Sequence, residues 1–201
     1  MRVGLFGGTF NPPHAGHRIV AEQAVEVLHL DLLIWMPARR SPFKNGNHDV
    51  DARHRLAMTR LATADHPSFV VSDLEIERPP PSYTVETVRL LAERYTEAKL
   101  FLVIGQDSWD GFSDWRRPAE IRELCTVAVY PRPTTEKAVP EGLQGTDVLW
   151  INAPRMDISS SDIRNRLKTG QAVAGLLGPH VRQYIAENSL YTALPEARPS
   201  R

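Results

Sequence analysis

The chain has 201 residues, of which 42% are hydrophobic, and its 24 basic residues balance its 24 acidic ones at a formal net charge of zero. This length favours one domain with a substantial core, and the absence of net positive charge argues against a dedicated nucleic-acid-binding protein. The single cysteine, Cys125, excludes a disulfide within the chain and a cysteine-rich zinc site, and it fits a reducing compartment. We expect Cys125 to be a small core residue.

Residues 1–8 have the pattern of a short strand that runs into a glycine turn, which is not the pattern of a signal peptide. No apolar run approaches the length that spans a bilayer. We therefore expect a cytoplasmic protein with no membrane or nucleic-acid partner, and the sequence leaves a homo-oligomer open.

Short apolar runs then alternate with helical patterns along the chain. The runs predict strands at residues 2–6, 32–36, 69–72, 100–104, 126–130 and 148–151. Apolar residues at helical spacing predict helices around residues 20–28, 56–64 and 88–95. This alternation indicates an α/β fold, a Rossmann-like doubly wound parallel sheet in a single domain. Such sheets bind ligands at the carboxyl ends of their strands, so we look for the site after residues 7, 37, 105 and 130.

The first strand leads directly into residues 7–17, which read Gly-Gly-Thr-Phe-Asn-Pro-Pro-His-Ala-Gly-His. The two glycines allow the backbone to approach an anion, and the following helix presents free N–H groups to phosphate. His14 and His17 share one face of the first helical turn, where imidazoles can donate to phosphate oxygens. We expect Gly16 to leave room for a nucleotide. The segment matches neither the Gly-x-Gly-x-x-Gly fingerprint nor a Walker loop.

A second anion site is predicted near the C-terminus, where residues 158–164 read Ile-Ser-Ser-Ser-Asp-Ile-Arg. Ser159 and Asp162 have the spacing of a capping box. Hydroxyls and free N–H groups at a helix start, with Arg164 in the first turn, suit phosphate. On its own the pattern also fits a serine-capped surface helix whose Ile163 and Leu167 face the core.

These two segments together resemble the HxGH nucleotidylyltransferases, whose signature combines a Gly-Gly-Thr/Ser-Phe turn with His-x-Gly-His. That family also carries an Ile-Ser-Ser-Thr-x-Ile-Arg motif, which this chain matches except for Ser161 in place of threonine. The resemblance implies a fold of the nucleotidylyltransferase type in which both histidines and the serine motif contact the phosphates of ATP. It also implies that no covalent intermediate forms on the protein.

Shorter segments resemble one branch of the family, the bacterial nicotinate-nucleotide adenylyltransferases. Residues 36–44 are similar to a Pro-x-x-x-Pro-His-Lys stretch in which Lys44 would neutralise substrate phosphate, although Phe43 stands where those enzymes usually have histidine. Residues 80–87 resemble a Ser-Tyr-Thr-x-x-Thr segment that binds the nicotinate carboxylate. A helix N-terminus favours a carboxylate over a neutral amide. A solvated loop lysine and plain helix capping are the simpler interpretations.

The remaining matches follow the fourth and fifth strands. Asp107 in Gly-Gln-Asp-Ser would accept ribose hydroxyls or help to hold magnesium, and Trp115 would stack on the pyridine ring, with Trp109 as its competitor. Arg132 corresponds to an arginine near the nucleotides. Residues 179–191 match the closing helix of the family, and their spacing favours packing rather than chemistry.

The resemblance covers residues 1–191 as one domain, leaving 192–201 as a tail, and implies adenylyl transfer from ATP to nicotinate mononucleotide with Mg²⁺. The catalytic set is His14, His17, Lys44 and Arg164. The ATP-binding set is Gly7, Gly8, Thr9, Phe10, Gly16, Gly105, Asp107, Ser159, Ser160 and Ser161. The substrate-binding set is Lys44, Ser82, Tyr83, Thr84, Trp115 and Arg132, with Asp107 as the metal ligand. Nicotinamide mononucleotide or phosphopantetheine is the alternative substrate, and an inactive nucleotide-binding regulator is the alternative class.

Overall fold

The computed structural model describes residues 1–39, 50–131, 148–151, 154 and 157–192. Its strands form one sheet in which every neighbouring pair is parallel, in the order β3-β2-β1-β4-β5-β6. The strands are β1 (Arg2–Gly8), β2 (Leu32–Pro37), β3 (Phe69–Val71), β4 (Lys99–Gly105), β5 (Thr126–Tyr130) and β6 (Val148–Trp150). The predicted doubly wound α/β fold is confirmed.

The direction of strand order reverses between β1 and β4, which pair directly from Arg2 with Lys99 to Phe6 with Val103. In an open parallel sheet the connections leave to opposite sides at such a point, and a crevice opens beyond the carboxyl ends of the two strands. Both strands run slightly further than predicted and end in glycines, Gly8 and Gly105. These two ends therefore mark the place where a ligand is expected.

Eight helices accompany the sheet in the described residues. They are α1 (Ala15–Val27), α2 (Ala52–Thr63), α3 (Leu74–Glu77), α4 (Thr84–Arg94), α5 (Gln106–Asp110), α6 (Pro118–Leu124), α7 (Ser160–Lys168) and α8 (Pro179–Glu187), and a 3-10 turn spans Phe112–Asp114. Among these residues no helix is both long and apolar enough to cross a membrane.

Alternate residues of each strand enter the cores on opposite faces of the sheet, as strand geometry requires. In β4, Leu102 and Ile104 join a cluster with α4 and α6, whereas Phe101 and Val103 join a second cluster with α1. Cys125 is buried in the first cluster, where desolvation raises the pKa of its thiol to about 12. The prediction that Cys125 is a core residue is confirmed.

A third apolar cluster joins three helices that are far apart in sequence. Met58 of α2, Ile163 of α7, and Val181 and Ile185 of α8 are all buried there, together with Tyr191. The spacing of the closing segment predicted packing, and Val181 and Ile185 are buried while Tyr184 is partly buried. This cluster fixes α7 beside the body of the protein, and α7 carries the second predicted anion site.

Three helices were not predicted from periodicity. α3 and α5 are single turns of four and five residues, too short to show an apolar stripe. α6 has seven residues and a proline at its first position, a start signal that was available in the sequence. All three helices contribute residues to the cavity described below.

Candidate active site

The turn after β1 is shaped by steric exclusion around Gly8. A Cβ atom at Gly8 would lie 2.8 Å from the ring of Phe10, so only glycine fits there. At Gly7 a Cβ would meet nothing within 4 Å, and this residue borders open space. The expectation that the glycines admit an anion therefore applies to Gly7, whereas Gly8 makes room for a protein side chain.

The two histidines of the turn stack against each other at the start of α1. His14 is the N-cap residue, and its ring lies 3.7 Å from that of His17 between centroids, at an angle of 35°. The backbone N–H of His14 donates to Nδ1 of His17 at 3.3 Å. Because this nitrogen accepts, a neutral His17 carries its proton on Nε2, which makes Nε2–H the donor that it can offer to a ligand.

His14 is a neutral imidazole in the folded protein. Burial lowers its pKa to about 4, and its Nδ1 atom is enclosed without a hydrogen-bond partner in the described part of the chain. An anion placed beside the ring would favour the protonated form and raise this pKa. His14 is therefore suited to respond to the charge of a phosphate.

Two neighbours hold the histidine pair in place. Phe10 is buried and packs edge-on against His17 with ring centroids 5.1 Å apart, so any contact of Phe10 with ATP would involve its backbone. At Gly16 a Cβ would lie 3.2 Å from the His14 ring and 3.6 Å from Ile158. The space expected to admit a nucleotide at Gly16 is thus filled by His14 and by the segment leading to α7.

The start of α7 lies directly against the histidine turn. Ser160 Oγ donates to the carbonyl oxygen of Pro12 at 3.0 Å, and Arg164 Nη1 donates to that of Asn11 at 2.8 Å. Arg164 Nη2 also donates to Ser161 Oγ at 3.1 Å. The two predicted anion-binding segments, one near each end of the chain, therefore form one cluster.

Of the capping box expected at α7, only the hydrogen bond to the N-cap side chain is present. The N-cap residue is Ser159, whose Oγ accepts from the backbone N–H of Asp162 at 3.0 Å. The carboxylate of Asp162 accepts from Arg166 Nε at 2.9 Å, one turn further along the helix. The carboxylate of Asp162 is thus paired with Arg166. Arg164, in the first turn, is bonded to the histidine turn instead.

A cavity of about 530 Å³ opens at the carboxyl ends of β1, β4 and β5. This volume is within the range of small-molecule sites. Its lining includes the predicted site residues Gly7, Gly8, Thr9, Ser82, Tyr83, Thr84, Gly105, Asp107 and Trp115. We call it the base-side cavity, and the adjoining group of His14, His17, Ser160, Ser161 and Arg164 the phosphate-side cluster.

The remaining predicted site residues divide into two groups. Ser159, Phe10 and Gly16 lie around the phosphate-side cluster without lining the cavity. Lys44 and Arg132, both predicted to bind substrate, lie outside the described residues.

The two candidate tryptophans occupy different positions. Trp115 lines the base-side cavity and also contacts Phe112, with ring centroids 5.2 Å apart. Trp109 stacks on the same Phe112, with ring centroids 5.1 Å apart, and both tryptophans pack against the apolar cluster on that face of the sheet, but Trp109 does not line the cavity. The position of Trp115 favours it over Trp109 as the residue that meets a ligand.

Glu75 is a cavity residue that the sequence analysis missed. It lies in α3, is 7% exposed, and lines the base-side cavity. Thr87 Oγ1 donates to its Oε1 at 2.7 Å, and Arg78 Nη2 donates to Thr87 Oγ1 at 3.0 Å. Burial raises the pKa of Glu75 despite these partners and Ser82. A single helical turn gives little sequence signal, although the Glu75–Arg78 spacing places the two on one helical face.

Arg55 is a second residue whose importance the sequence analysis missed. It is 2% exposed, and Nη1 donates to the carbonyl oxygens of Thr9 and Ala38, both at 2.7 Å. Its spacing to Met58 and Thr59 puts it on the buried face of α2, which was the available signal. Arg55 therefore fixes Thr9, which borders the cavity, to the end of β2.

No cluster of three or more potential metal-ligating side chains exists among the described residues. Asp107, in the first turn of α5, is one of three acidic residues on the cavity wall, with Glu75 and Asp114, and the three do not come together as a metal-ligating cluster. Magnesium is commonly held by one or two carboxylates together with substrate phosphates. The donor set thus suits a magnesium ion that arrives with a nucleotide, and it does not suit a metal held by the protein alone.

Comparison with known proteins agrees with this geometry. A model of the cytidylyltransferase-like family matches residues 5–166. A Salinibacter ruber protein described as a probable nicotinate-nucleotide adenylyltransferase is 40% identical over 191 residues, which cover 95% of this chain and 98% of the relative. A relative from Exiguobacterium sibiricum with the same description is 39% identical over 191 residues, covering 95% and 99%.

The same fold occurs in the solved structure of Plasmodium falciparum nicotinic acid mononucleotide adenylyltransferase complexed with NaAD. The two share a TM-score of 0.80 at 17% identity, over 94% of this chain and 97% of that one. The chain belongs to the cytidylyltransferase-like family and, within it, to the nicotinate-nucleotide adenylyltransferases, as its sequence resemblance predicts.

Proposed function

We propose that the protein transfers the adenylyl group of ATP to nicotinate mononucleotide. An oxygen of the 5′-phosphate of the mononucleotide attacks the α-phosphorus of ATP, the bond from that phosphorus to the bridging oxygen breaks, and pyrophosphate leaves. The product is nicotinate adenine dinucleotide. The observation that carries the proposal is the pair of hydrogen bonds from Ser160 to Pro12 and from Arg164 to Asn11, which joins both anion-binding segments.

The attacking phosphate is an anion near neutral pH, so the reaction needs alignment and charge neutralisation rather than a general base. His17 offers Nε2–H because its Nδ1 accepts from the backbone of His14. Arg164 has five N–H donors, of which the bonds to Asn11 and Ser161 use only part. These groups would stabilise charge that develops on the phosphates of ATP as the bond breaks.

The base-side cavity would hold the nicotinate half of the substrate. Ser82, Tyr83 and Thr84 line it at the N-terminus of α4, where free N–H groups and the helix dipole favour a carboxylate. Trp115 lies on the same wall, and its indole face suits an electron-poor ring. Lys44 and Arg132 are proposed as further phosphate contacts on the basis of the sequence resemblance.

The metal requirement follows from the charge of ATP. A bound Mg²⁺ would neutralise phosphate charge and hold the phosphates in one geometry. Asp107 is the side chain that would contribute to holding it, while the phosphates and water supply the other ligands.

A direct assay tests the proposed function. Purified protein is mixed with ATP, Mg²⁺ and one of nicotinate mononucleotide, nicotinamide mononucleotide or phosphopantetheine, and both the dinucleotide or other adenylylated product and pyrophosphate are quantified. We expect kcat/KM to be highest for nicotinate mononucleotide. Faster use of the amide or of phosphopantetheine would replace the substrate assignment.

The same assay addresses the non-enzymatic alternative. A regulator that only binds nucleotides would release no pyrophosphate with any of the three substrates while still binding ATP. That result would overturn the proposed function as a whole, whereas a change of preferred substrate would leave adenylyl transfer intact.

A further inference from the structure

The last described residues of the chain return to the histidine turn. Tyr191 is 8% exposed, and its Oη donates to the side-chain Oδ1 of Asn11 at 2.5 Å. Asn11 is itself 2% exposed, so this hydrogen bond lies inside the protein. A contact between residues 180 positions apart links the end of the described chain to the phosphate-side cluster.

Asn11 connects several parts of this cluster at once. Its side chain is bonded to Tyr191, while its own carbonyl oxygen accepts from Arg164 Nη1 at 2.8 Å. The next carbonyl, that of Pro12, accepts from Ser160 Oγ at 3.0 Å. The position of Asn11 therefore determines where Arg164 is held, and the turn leads directly from Asn11 to His14.

We propose that the Tyr191 hydroxyl is a positioning group for adenylyl transfer, acting through Asn11 on Arg164 and on the histidine turn. This inference rests on the proposed function. It revises the prediction that the closing segment serves packing alone, since packing requires only the ring of Tyr191 and not its oxygen.

The surroundings of Tyr191 separate these two roles. Its ring belongs to the apolar cluster of α2, α7 and α8, where phenylalanine would pack equally well. Its backbone adopts a φ of 61°, a left-handed conformation that a bulky residue keeps only where contacts determine it. The hydroxyl is aimed away from that cluster at a polar atom of the catalytic turn.

The test is the variant Tyr191→Phe, with steady-state kinetics for both substrates. We expect kcat to fall about tenfold, because small misplacements of charged groups cost one to two orders of magnitude in rate. The KM for nicotinate mononucleotide should stay within about twofold, since Tyr191 does not line the base-side cavity.

Tyr184→Phe is the matched control from the same closing segment. Tyr184 Oη hydrogen-bonds to Nδ1 of His54 at 2.9 Å, across the contact between α8 and α2, away from Asn11. Its kcat should equal that of the wild type. A purely structural role for Tyr191 would instead lower the melting temperature of Tyr191→Phe and leave its kcat unchanged at assay temperature.

A double-mutant cycle with Asn11→Ala identifies the route of the effect. If Tyr191 acts through Asn11, adding Tyr191→Phe to Asn11→Ala should lower kcat by less than twofold. A wild-type kcat for Tyr191→Phe, or a full tenfold further loss in the Asn11→Ala background, would overturn the inference.

The affinity for ATP, measured by calorimetry, keeps the inference separate from the proposed function. Wild-type protein that makes no dinucleotide would contradict the proposed function. In that case a weaker ATP affinity of Tyr191→Phe, with unchanged affinity of Tyr184→Phe, would still support the positioning role, and equal affinities would overturn it.

Discussion

The phosphate-side cluster and the base-side cavity are built in different ways. The cluster comes from two contiguous motifs whose backbones are joined by Ser160 and Arg164 across about three quarters of the chain. The cavity wall comes from the ends of β1, β4 and β5, from short pieces on α3, α4 and α5, and from the segment before α6. Under the proposed function, the compact motifs would carry the chemistry of phosphate transfer, whereas the scattered side chains would select the molecule that receives the adenylyl group.

In both regions, burial shifts the pKa of an ionisable group in the direction that favours its neutral form. Burial lowers the pKa of His14 on the phosphate side and raises the pKa of Glu75 on the base side. Each group is then poised to respond to the charge of an incoming ligand, with opposite sign. Changes in the phosphate-side cluster should therefore alter kcat, and changes in the base-side cavity should alter the KM for the mononucleotide.

The largest effect is expected from His17→Ala. Removal of its Nε2–H donor should lower kcat by about 10²–10³, the loss seen for comparable electrostatic stabilisers, while the KM for nicotinate mononucleotide changes little. Steady-state kinetics measure both constants, and circular dichroism verifies that the variant is folded. Near-normal turnover would remove His17 from the mechanism.

The next largest effect is a loss of stability at acidic pH, caused by the burial of His14. The folded pKa of about 4 is below the ordinary value of 6.5, so between these pH values only the unfolded chain binds this proton. The free energy of unfolding then decreases as pH falls from 6.5 to 4, by up to about 3 kcal/mol. Urea denaturation at several pH values should show a shallower decrease for His14→Gln.

The exposed histidine of α8 provides the control for that experiment. His180→Gln removes an imidazole from the surface and should keep the pH slope of the wild type. Equal slopes for the wild type and His14→Gln would mean that His14 is not held neutral in the folded chain.

On the base side, Trp115→Ala should raise the KM for nicotinate mononucleotide about tenfold, the typical cost of losing one stacked aromatic contact. The KM for ATP should hardly change. Trp109→Ala is the matched comparison, because Trp109 packs on the same Phe112 and should affect stability rather than substrate affinity. If Trp109→Ala selectively raised the KM for nicotinate mononucleotide, Trp109 rather than Trp115 would be the residue that stacks on the substrate.

The smallest effect concerns Glu75 and the choice between acid and amide. As pH rises through its elevated folded pKa, Glu75 becomes charged and should repel the nicotinate carboxylate but not the amide. The ratio of KM for nicotinate over nicotinamide mononucleotide should then increase by a factor of about five, as expected for about 1 kcal/mol between nearby charges. Glu75→Gln should remove this pH dependence.

Both mononucleotides carry the same phosphate, so its ionisation changes both KM values equally and does not alter their ratio. A ratio that stays constant with pH in the wild type would show that Glu75 does not sense the pyridine substituent.

Much of the fold was predictable because buried parallel strands are continuous apolar runs. The strand at residues 126–130 was predicted with its observed bounds, and others differ only at their ends. The short helices α3 and α5 were not predicted, because an apolar periodicity can be recognised only over more residues than they contain. Glu75 of α3 was therefore missed with its helix, whereas Asp107 of α5 was predicted from its motif.

Within the site, the sequence indicated which residues are polar and close in sequence, but not which are close in space. The contact of Ser160 with Pro12 and that of Tyr191 with Asn11 depend on the packing of α7 and α8 against α2. Likewise, the ring that fills the space above Gly8 belongs to Phe10, which no spacing rule identifies. Tertiary packing determines these contacts, and it has no local signature.

The bonds of Ser160 and Arg164 to the histidine turn also bear on synthesis of the chain on the ribosome. A nascent chain that ends before α7 already contains both imidazoles, yet it lacks the two side chains that hold the carbonyls of Asn11 and Pro12. Chains fold as they emerge, N-terminus first. Catalytic competence should therefore arise only after α7 has emerged and docked, and products truncated before α7 would be inert.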